Sequence, residues 1–538
     1  MTAEFSPDAS LLSEPSDPEF DTRATLGLPP ATAARLAALV VSDGEVRVTV
    51  HSPLAGQPLG EIPQSTTADV RRAFARSRAA QPAWAARSVK ARAQVLLDFH
   101  DLVLEHREEL MDLIVWETGK ARRHAFEEVM HVALTARYYG RTARAHLAPQ
   151  RRAGVMPVLT GVQVNRVPKG IVGVISPWNY PFTMAISDAL AAIVAGNGVV
   201  AKPDGQTMFS ALRGVELLVE AGLPGGLWQL VAGPGGTVGP AVIEQSDYVC
   251  FTGSTATGRS VARACADRLI GCSLELGGKN PILILRDADI ERAAEGAVRA
   301  SFSNAGQLCV STERMFVADQ LYDRFVERFV ARTESMTLGA TLDWENDMGT
   351  LISAAQLGRV EAHVEDAVAH GAQVLTGGRA RPDLAPHYFE PTILSGVTPQ
   401  MACFAEETFG PVVSVYRFTE EDEAVQRAND GEYGLNASIY SRDTARARAL
   451  AARLKCGSVN INEGYSASFA SLSAPMGGMR ASGLGRRQGA EGIHRFTEPQ
   501  TVATQRLLQV PPTFGRSEQT HAEVMVASLK LLKRLGRA

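Results

Sequence analysis

The thiol of Cys309 is the side chain whose surroundings most suggest nucleophilic chemistry. It lies in the polar, glycine-containing segment Asn-Ala-Gly-Gln-Leu-Cys-Val-Ser, which follows a predicted helix over Ile290–Phe302. An accessible and partly ionised thiol is a nucleophile, whereas a buried thiol is inert packing. The segment predicts an accessible thiol, and packing is the alternative for an isolated cysteine. The other cysteines are assigned to packing: Cys250, Cys265, Cys272, Cys403 and Cys456.

Glu275 is the second candidate for chemistry, as a general base. It stands between Leu274 and Leu276, just before two glycines, so its neighbours are small and apolar. Desolvation there would raise the pKa of the carboxyl toward the neutral range in which a base works best. The alternative, on these residues alone, is a buried carboxylate with a structural partner.

Gly253 and Ser254 form a turn that could bind phosphate. They follow the apolar run Tyr248–Phe251 and precede a helical stretch. The first turn of a helix offers unpaired N–H groups and the positive end of the helix dipole, which together bind a pyrophosphate. The spacing is that of a Walker A loop, but Arg259 stands where that loop needs lysine. A plain strand-to-helix turn is the alternative.

Alternating strands and helices must position these groups. From Lys169 to Leu285 short apolar runs alternate with helical segments, which is typical of a parallel, doubly wound sheet. The predicted strands are Ile171–Ile175, Val199–Ala201, Trp228–Val231, Val249–Phe251 and Pro281–Leu285. A second alternating region, 289–459, predicts a second α/β domain. Two long amphipathic patterns predict helices over Asp69–Ala86 and Val89–Thr118.

The composition excludes several classes of function. The chain has 538 residues, 45 % of them hydrophobic and 21 % charged, and a net charge of −4, so a nucleic-acid partner is not expected. Six cysteines without metal-ligand spacing predict neither a disulfide framework nor a bound metal. The sequence shows neither a signal peptide nor an apolar stretch long enough to span a membrane, so we expect a cytoplasmic protein without membrane contact.

Several separated motifs together resemble the aldehyde dehydrogenase superfamily, over residues 40–503. They occur in the order and approximate spacing of that family: Pro177-Trp-Asn-Tyr-Pro181, Lys202-Pro203, Phe251-Thr-Gly-Ser254, Leu274-Glu-Leu-Gly-Gly-Lys-Asn-Pro281, Gly306-Gln-Leu-Cys309 and Glu406-Glu-Thr-Phe-Gly-Pro411. Among subgroups, the text near Pro203–Gln206 and Ser473–Gly485 is most similar to bacterial enzymes assigned as NADP-dependent succinate-semialdehyde dehydrogenases.

The resemblance implies a covalent mechanism. The Cys309 thiolate attacks the aldehyde carbon, and the side-chain amide of Asn179 with the backbone N–H of Cys309 stabilises the resulting oxyanion. Loss of hydride to the nicotinamide leaves a thioester, and Glu275 activates the water that hydrolyses it.

The resemblance also implies the cofactor contacts. Lys202 lies near the adenosine ribose, Gly253 and Ser254 at the pyrophosphate, and Glu407 on the nicotinamide ribose. The full set of implied cofactor-binding residues is Trp178, Asn179, Lys202, Pro203, Asp204, Gly205, Gly253, Ser254, Leu276, Glu407 and Phe409.

The implied fold is aldehyde dehydrogenase-like: two doubly wound α/β domains, a modified Rossmann cofactor domain and a catalytic domain, with a small β oligomerisation flap. A homodimer or homotetramer follows by resemblance. The expected organisation is a disordered acidic tail at 1–35, a cofactor domain at 36–278 with 150–165 contributing to the flap, a catalytic domain at 279–475, a return segment and flap at 476–510, and a basic amphipathic tail at 511–538.

Two departures from the family pattern concern the cofactor and the substrate. Many NAD-preferring members carry a glutamate where this chain has Gly205, so NADP is expected and NAD is possible, although Asp204 next to it brings a charge of its own. Better-defined succinate-semialdehyde enzymes have arginines where this chain has Ser187 and Ser303. Arg480 and Ser303 are therefore the candidates for binding the substrate, and the Ser- and Tyr-containing stretch Gly464–Ser473 could supply hydroxyls.

The resulting function hypothesis is oxidation of succinate semialdehyde to succinate. A broad-specificity dehydrogenase of aliphatic and aromatic aldehydes is the alternative. An acylating enzyme that uses coenzyme A or phosphate, or a reductase of acyl phosphates, is disfavoured because Glu275 serves hydrolysis by water. A catalytically silent structural or binding protein is disfavoured because nucleophile, base and oxyanion amide are all retained.

Overall fold

The computed structural model describes residues 27–155, 160–506, 515 and 517–536. Most of the predicted acidic tail and part of the predicted C-terminal tail lie outside these residues. The predicted disorder up to residue 35 is wrong for its last residues, because Pro30–Ala37 forms a helix that buries Ala33 and Leu36. The helices are α1 Pro30–Ala37, α2 Thr67–Ala86, α3 Val89–Glu105, α4 Arg107–Thr118, α5 Arg122–His146, α6 Asp188–Ala195, α7 Phe209–Glu220, α8 Gly235–Gln245, α9 Thr255–Asp267, α10 Ile290–Phe302, α11 Tyr322–Glu334, α12 Ala354–Ala369, α13 Ala402–Ala405, α14 Glu421–Ala428, α15 Thr444–Ala451, α16 Ser466–Phe469, α17 Gly489–His494 and α18 Glu518–Arg534.

The strands belong to four sheets. They are β1 Arg47–His51, β2 Pro58–Pro63, β3 Gln150–Arg152, β4 Thr160–Pro168, β5 Ile171–Ile175, β6 Gly198–Lys202, β7 Trp228–Leu230, β8 Tyr248–Thr252, β9 Gly271–Glu275, β10 Asn280–Ile284, β11 Thr312–Ala318, β12 Gln373–Thr376, β13 Thr392–Ser395, β14 Val412–Phe418, β15 Asn436–Tyr440, β16 Ser458–Ile461, β17 Gly483–Leu484 and β18 Thr497–Gln505. The five strands predicted from apolar runs are all present.

The first large sheet has the strand order β17-β9-β8-β5-β6-β7. Strands β5 to β9 are parallel, and β17 is antiparallel to β9. The chain winds outward from β5 in both directions, so the order reverses between β5 and β8. Ligands of doubly wound sheets bind at the carboxyl ends of the strands at such a switch point. The fold alone therefore selects the edge of the sheet that holds the turn at Gly253.

The second large sheet has the order β12-β13-β14-β11-β10-β15-β16 and is parallel except for β12. Its strands are buried; all seven residues of β11, for example, are inaccessible. Helix α10 was predicted with the bounds that it has, and the Cys309 segment connects it to β11. The predicted pair of doubly wound α/β domains is thus confirmed.

A separate three-stranded antiparallel sheet has the order β18-β4-β3. The whole length of β18 pairs with β4, from Thr497 opposite Pro168 to Gln505 opposite Thr160. Strand β18 lies at one edge of this sheet. This sheet coincides with the segments expected to form the flap.

One helical prediction differs in detail from the structure. The pattern Val89–Thr118 forms two helices, because His106 leaves helical geometry (φ −90°, ψ 20°) and serves as the boundary of both. The segment before α6 is a π-helical turn over Thr183–Ser187. Helix α18 lies in the predicted basic amphipathic tail and buries none of its residues. Within the described part of the chain, no helix is long and apolar enough to cross a membrane, and no group of three or more metal-binding side chains is found.

Candidate active site

Four turns carry the predicted site residues to one edge of the first sheet. Asn179 follows β5, Lys202 ends β6, Gly253 follows β8, and Glu275 ends β9. Because β5, β6, β8 and β9 are parallel, their carboxyl ends meet at the same edge. The structure thus brings together residues that are up to 96 positions apart in the sequence.

Cys309 lies in a tightly constrained loop that faces this edge. The backbone is left-handed at Asn304, Ala305 and Gly306 (φ 52°, 53° and 70°). A Cβ at Gly306 would lie 2.0 Å from the carbonyl oxygen of Gly410, so the loop packs directly on the segment that holds Glu407. The carbonyl of Cys309 itself accepts a hydrogen bond of 2.8 Å from the side-chain amide of Asn280.

The Cys309 thiol is half-buried and protonated in this arrangement. Burial raises its pKa to about 12, with further contributions from the carboxyls of Glu275 and Glu407. The nucleophile and base candidates are therefore near enough for the charge of one to affect the other. A nucleophilic attack by this thiol therefore needs a base that removes its proton.

Asn179 is buried, and both its side-chain amide and its main-chain carbonyl form hydrogen bonds with the Cys309 loop. Its side-chain Nδ2 donates to the carbonyl of Gln307 at 3.0 Å. Its own carbonyl accepts hydrogen bonds from Nζ of Lys120 at 2.7 Å and Nδ2 of Asn304 at 3.1 Å. The side-chain amide is therefore held beside the nucleophile, as an oxyanion donor must be.

Glu275 is 5 % exposed, and its Oε1 has no hydrogen-bond partner among the described residues. Burial raises the pKa of its carboxyl to about 7, against the lowering effect of the Arg487 guanidinium. A Cβ at Gly477 would lie 3.0 Å from that oxygen, so only a glycine leaves Oε1 free space. The predicted rise of the Glu275 pKa toward neutrality is confirmed. The alternative, a carboxylate with a structural hydrogen-bond partner, does not hold for Oε1.

The turn at Gly253 differs from the predicted phosphate site in which of its backbone N–H groups are free. The N–H of Gly253 donates to the carbonyl of Glu275 at 3.0 Å, so it is not free for a phosphate. Ser254 caps α9 by accepting from the N–H of Thr257 at 3.3 Å. The helix end is present as predicted, and the groups open to an anion are those of the first turn of α9 rather than the Gly253 amide.

The turn after β6 matches the predicted adenosine end. Lys202 is buried, donates to the carbonyl of Pro203 at 3.3 Å, and burial lowers its pKa. Oδ1 of Asp204 accepts from the N–H of Gln206 at 2.9 Å, which turns its charge toward its own loop. A Cβ at Gly205 would meet no atom within 4 Å, so the space beside it is open.

The residues predicted to contact the nicotinamide end of the cofactor form contacts of their own. Trp178 and Phe409 meet edge to face with ring centroids 5.6 Å apart. Oε1 of Glu407 accepts from the N–H of Gly278 at 2.8 Å, and burial raises the pKa of that carboxyl to about 8. The N–H of Leu276 donates to the carbonyl of Ser482 at 3.0 Å, which links this segment to the residue before β17.

Of the two predicted substrate-binding residues, one lies in the pocket and one does not. Ser303 is buried, and its hydroxyl interacts with Tyr465 next to the Cys309 loop. Arg480 is exposed and donates to the carbonyls of Asn429 and Tyr433 at 3.0 and 3.3 Å. The structure thus contradicts the assignment of Arg480, because a surface loop holds its guanidinium.

Of the side chains that pack with Cys309, Tyr465 and Phe469 lie in the stretch 464–473 that was considered for substrate contacts, whereas Tyr180 and Met184 were not predicted. Glu127 on α5, which was not predicted either, accepts a hydrogen bond from the phenol of Tyr465. Tyr180 and Met184 stand one and five places after Asn179, which is the signal that could have identified them. Glu127 lies 182 residues before Cys309, and no local pattern connects the two.

Comparison with known proteins agrees with this geometry. Residues 40–502 match the model of the aldehyde dehydrogenase family. The chain is 50 % identical to a Mycolicibacterium smegmatis protein named "Putative succinate-semialdehyde dehydrogenase [NADP(+)]", over 94 % of this chain and 98 % of that protein. It is 36 % identical to Escherichia coli "Succinate-semialdehyde dehydrogenase [NADP(+)] GabD", over 86 % and 94 % of the two chains.

Solved structures give the same result. The fold superposes on an Escherichia coli "NADP dependent enzyme" with a TM-score of 0.83 and 35 % identity, over 87 % of this chain and 96 % of the other. It superposes on a Sinorhizobium meliloti NAD-dependent aldehyde dehydrogenase with a TM-score of 0.85 and 33 % identity, over 89 % and 94 %. The chain therefore belongs to the aldehyde dehydrogenase family of oxidoreductases.

Proposed function

We propose that the chain oxidises an aldehyde to a carboxylic acid with NADP, through a thioester on Cys309. The observation that carries this proposal is the nearness of three groups. Glu275 has a carboxyl oxygen without a partner among the described residues, its charge contributes to the raised pKa of the Cys309 thiol, and the side-chain amide of Asn179 donates to the loop that carries Cys309. The balanced reaction consumes aldehyde, oxidised cofactor and water, and yields acid, reduced cofactor and a proton.

Glu275 moves protons in this scheme. Its raised pKa lets the carboxylate take a proton from the Cys309 thiol or from water near neutral pH. The carbon–sulfur bond forms as the carbonyl oxygen becomes negative beside the Asn179 amide and the backbone N–H of Cys309. Loss of hydride from this adduct leaves the thioester. Water, which gives a proton to Glu275, then attacks the thioester carbonyl, the carbon–sulfur bond breaks, and the sulfur regains a proton.

The residues along the sheet edge fit a dinucleotide. The cofactor, when bound, accepts the hydride that the tetrahedral adduct on Cys309 releases. The open space at Gly205 and the buried ammonium of Lys202, which has one main-chain partner among the described residues, suit a ribose that carries a 2′-phosphate. We therefore propose NADP as the preferred cofactor, with NAD as a possible substitute. Relatives named as NADP-dependent support the same choice.

Two substrate classes are proposed. The names of the relatives put succinate semialdehyde first. A less polar aliphatic or aromatic aldehyde is the second candidate, and one observation favours it: Ser187 and Ser303, both buried near the pocket, offer no charge to a substrate carboxylate, and Arg480 is held elsewhere.

We further propose that the protein is cytoplasmic and acts as a homodimer or homotetramer. The sheet of β3, β4 and β18 presents a nearly fully exposed strand, β18, which supports a role as the oligomerisation flap. The boundaries 36–278, 279–475 and 476–510 are proposed for the cofactor domain, the catalytic domain and the return segment. Light scattering of the purified protein tests the assembly.

The mechanism is tested with Cys309→Ala. Formation of NADPH from any aldehyde should be abolished, whereas the matched variant Cys456→Ala, which removes another half-buried thiol, should retain activity. Full activity of Cys309→Ala would rule out the covalent mechanism. Activity that requires added coenzyme A or phosphate would instead support an acylating enzyme.

A further inference from the structure

The segment that carries Glu407 and Phe409 has a strained backbone. Phe409 has a φ of +55°, in the left-handed region that costs free energy for a bulky side chain. Such a conformation persists only where the surrounding structure holds it. Both residues are assigned by resemblance to the nicotinamide end of the cofactor, so the contacts that hold this segment also shape that end of the site.

A buried carboxylate holds the segment by its N–H groups. Glu313 lies on β11, four residues after Cys309, and is 3 % exposed. Its Oε1 accepts from the N–H groups of Thr408 and Phe409 at 3.1 and 3.0 Å, and its Oε2 lies 2.9 Å from the N–H of Thr408. One side chain thus satisfies two consecutive backbone donors, including that of the strained residue.

Lys279 balances the charge of this carboxylate. Its buried ammonium donates to Oε2 of Glu313, so the two side chains form an ion pair inside the protein. Lys279 follows Gly278, whose N–H donates to Oε1 of Glu407 at 2.8 Å. The turn 277–279 therefore binds the side chain of Glu407 directly and the next two residues through Glu313.

The same turn contacts the nucleophile. A Cβ at Gly278 would lie 2.7 Å from the carbonyl oxygen of Cys309. The side-chain amide of Asn280 donates to that carbonyl at 2.8 Å and to the carbonyl of Ser311 at 2.7 Å. Gly278 thus lies between the backbone of Cys309 and the carboxyl of Glu407.

Helix α12 holds the segment by its carbonyl groups. The side-chain amide of Gln356, which is partly exposed, donates to the carbonyls of Phe409 and Thr408 at 2.8 and 3.2 Å. The guanidinium of Arg359 donates to the carbonyl of Glu407 at 2.5 Å. The carbonyls are therefore bound from the accessible side, and the N–H groups from the buried side by Glu313.

We infer that Glu313 is a positioning residue for hydride transfer, because its carboxylate fixes the segment of Glu407 and Phe409 relative to the turn that contacts Cys309. The inference rests on the proposed function and adds a residue to it. Rates depend steeply on how reacting groups are placed, and a pre-organised site binds its ligand at a lower cost in entropy. Loss of the acceptor at position 313 should therefore weaken cofactor binding and slow hydride transfer together.

The test compares two double variants that differ only at position 313: Lys279→Met/Glu313→Leu and Lys279→Met/Glu313→Gln. Both remove the ion pair without leaving a buried charge unpaired, which would itself destabilise the fold. Only glutamine offers a carbonyl oxygen to the N–H groups of Thr408 and Phe409. The glutamine variant should therefore retain the positioning, and the leucine variant should lose it.

Three measurements separate positioning from a merely structural role. The Kd of NADPH, measured without aldehyde by the fluorescence of the bound cofactor, should be at least about tenfold higher in the leucine variant than in the glutamine variant. Deuterium at the aldehyde carbon should lower kcat more in the leucine variant, because hydride transfer then limits turnover. Amide hydrogen exchange over 404–412 in the free enzyme should also be faster in that variant.

A second variant loosens the segment from its accessible side. Gln356→Met removes the donor to two carbonyls on a partly exposed helix, so the fold should be retained even if the leucine variant is unstable. It should raise the Kd of NADPH and the deuterium effect in the same direction. The control Glu117→Gln changes another buried carboxylate that accepts from two consecutive N–H groups, those of Phe209 and Ser210, and should leave the deuterium effect unchanged.

The outcomes separate the two proposals. Equal NADPH affinities and equal deuterium effects in the two double variants would overturn the inference and leave the mechanism on Cys309 intact, and so would wild-type values in Gln356→Met. Failure of the wild-type enzyme to bind NADPH or NADH and to oxidise any aldehyde would overturn the proposed function and the inference with it.

Discussion

The ammonium nitrogen of Lys120 lies 2.7 Å from the carbonyl oxygen of Asn179 and donates a hydrogen bond to it. The same ammonium forms an ion pair with Glu128, whose second carboxyl oxygen accepts from the N–H of Thr183 at 3.1 Å. Lys120 thus holds the backbone at Asn179, and Glu128 holds it at Thr183. Lys120 is a positioning residue for the oxyanion amide.

The variant Lys120→Met should lower both stability and kcat. Glu128 would be left buried without its cation, which costs about 3–5 kcal/mol in free energy of unfolding. The double variant Lys120→Met/Glu128→Gln removes the orphan charge, so its melting temperature should recover while kcat stays low and KM changes little. Thermal melting and steady-state kinetics measure the two effects. A double variant with wild-type kcat would show that Lys120 has only a structural role.

Glu275 should give turnover a pH dependence with a midpoint near its pKa of about 7. The base is active when deprotonated, so kcat should rise from pH 6 to pH 8 and then level off. Glu275→Gln should remove this rise and slow turnover, because hydrolysis loses its base. If another group takes the thiol proton, Glu275→Gln still produces a burst of NADPH in its first turnover. Stopped-flow absorbance measures this burst.

Gly205→Glu should shift the cofactor preference from NADP toward NAD by about tenfold or more in kcat/KM, since a new carboxylate repels a 2′-phosphate. The fold should be unaffected, because a Cβ at this position meets nothing within 4 Å. The control Gly225→Glu places the same charge at another open glycine and should leave the preference unchanged. A wild-type enzyme that already prefers NAD contradicts the role given to Gly205.

Gly306→Ala should disrupt the nucleophile loop. The residue has φ +70°, and a Cβ there would lie 2.0 Å from the carbonyl oxygen of Gly410. Strain of about 1–3 kcal/mol for the left-handed backbone adds to this clash, so activity should fall and the melting temperature should drop by several degrees. Gly236→Ala, in open space on α8, is the control and should be neutral. Wild-type activity in Gly306→Ala would mean that the two loops can separate.

Local patterns predicted the sheet that carries the site, and long-range contacts decided the rest. Four of its strands, between Ile171 and Phe251, were predictable because central parallel strands are continuously apolar. Strand β9, which ends at Glu275, was not predicted, and the predicted strand Pro281–Leu285 lies in the second sheet. The hydrogen bond from Gly253 to Glu275 was not predictable, because it joins two strands whose neighbourhood appears only in the sheet. The role of Lys120 was not predicted for the same reason: the residue lies between α4 and α5 and reaches Asn179 only in the folded chain. Arg480 was assigned wrongly because its nearness in sequence to the glycine-rich segment does not fix the direction of its side chain.

Strand β17 is the neighbour of Glu275 that is synthesised last. Its two residues pair with Leu274 and Glu275, although they follow Glu275 by roughly two hundred positions. On a ribosome that adds about 5–20 residues per second, the base candidate would wait about 10–40 s for this neighbour. The edge of the first large sheet beside Glu275 therefore stays without its last strand until nearly all of the chain has been synthesised.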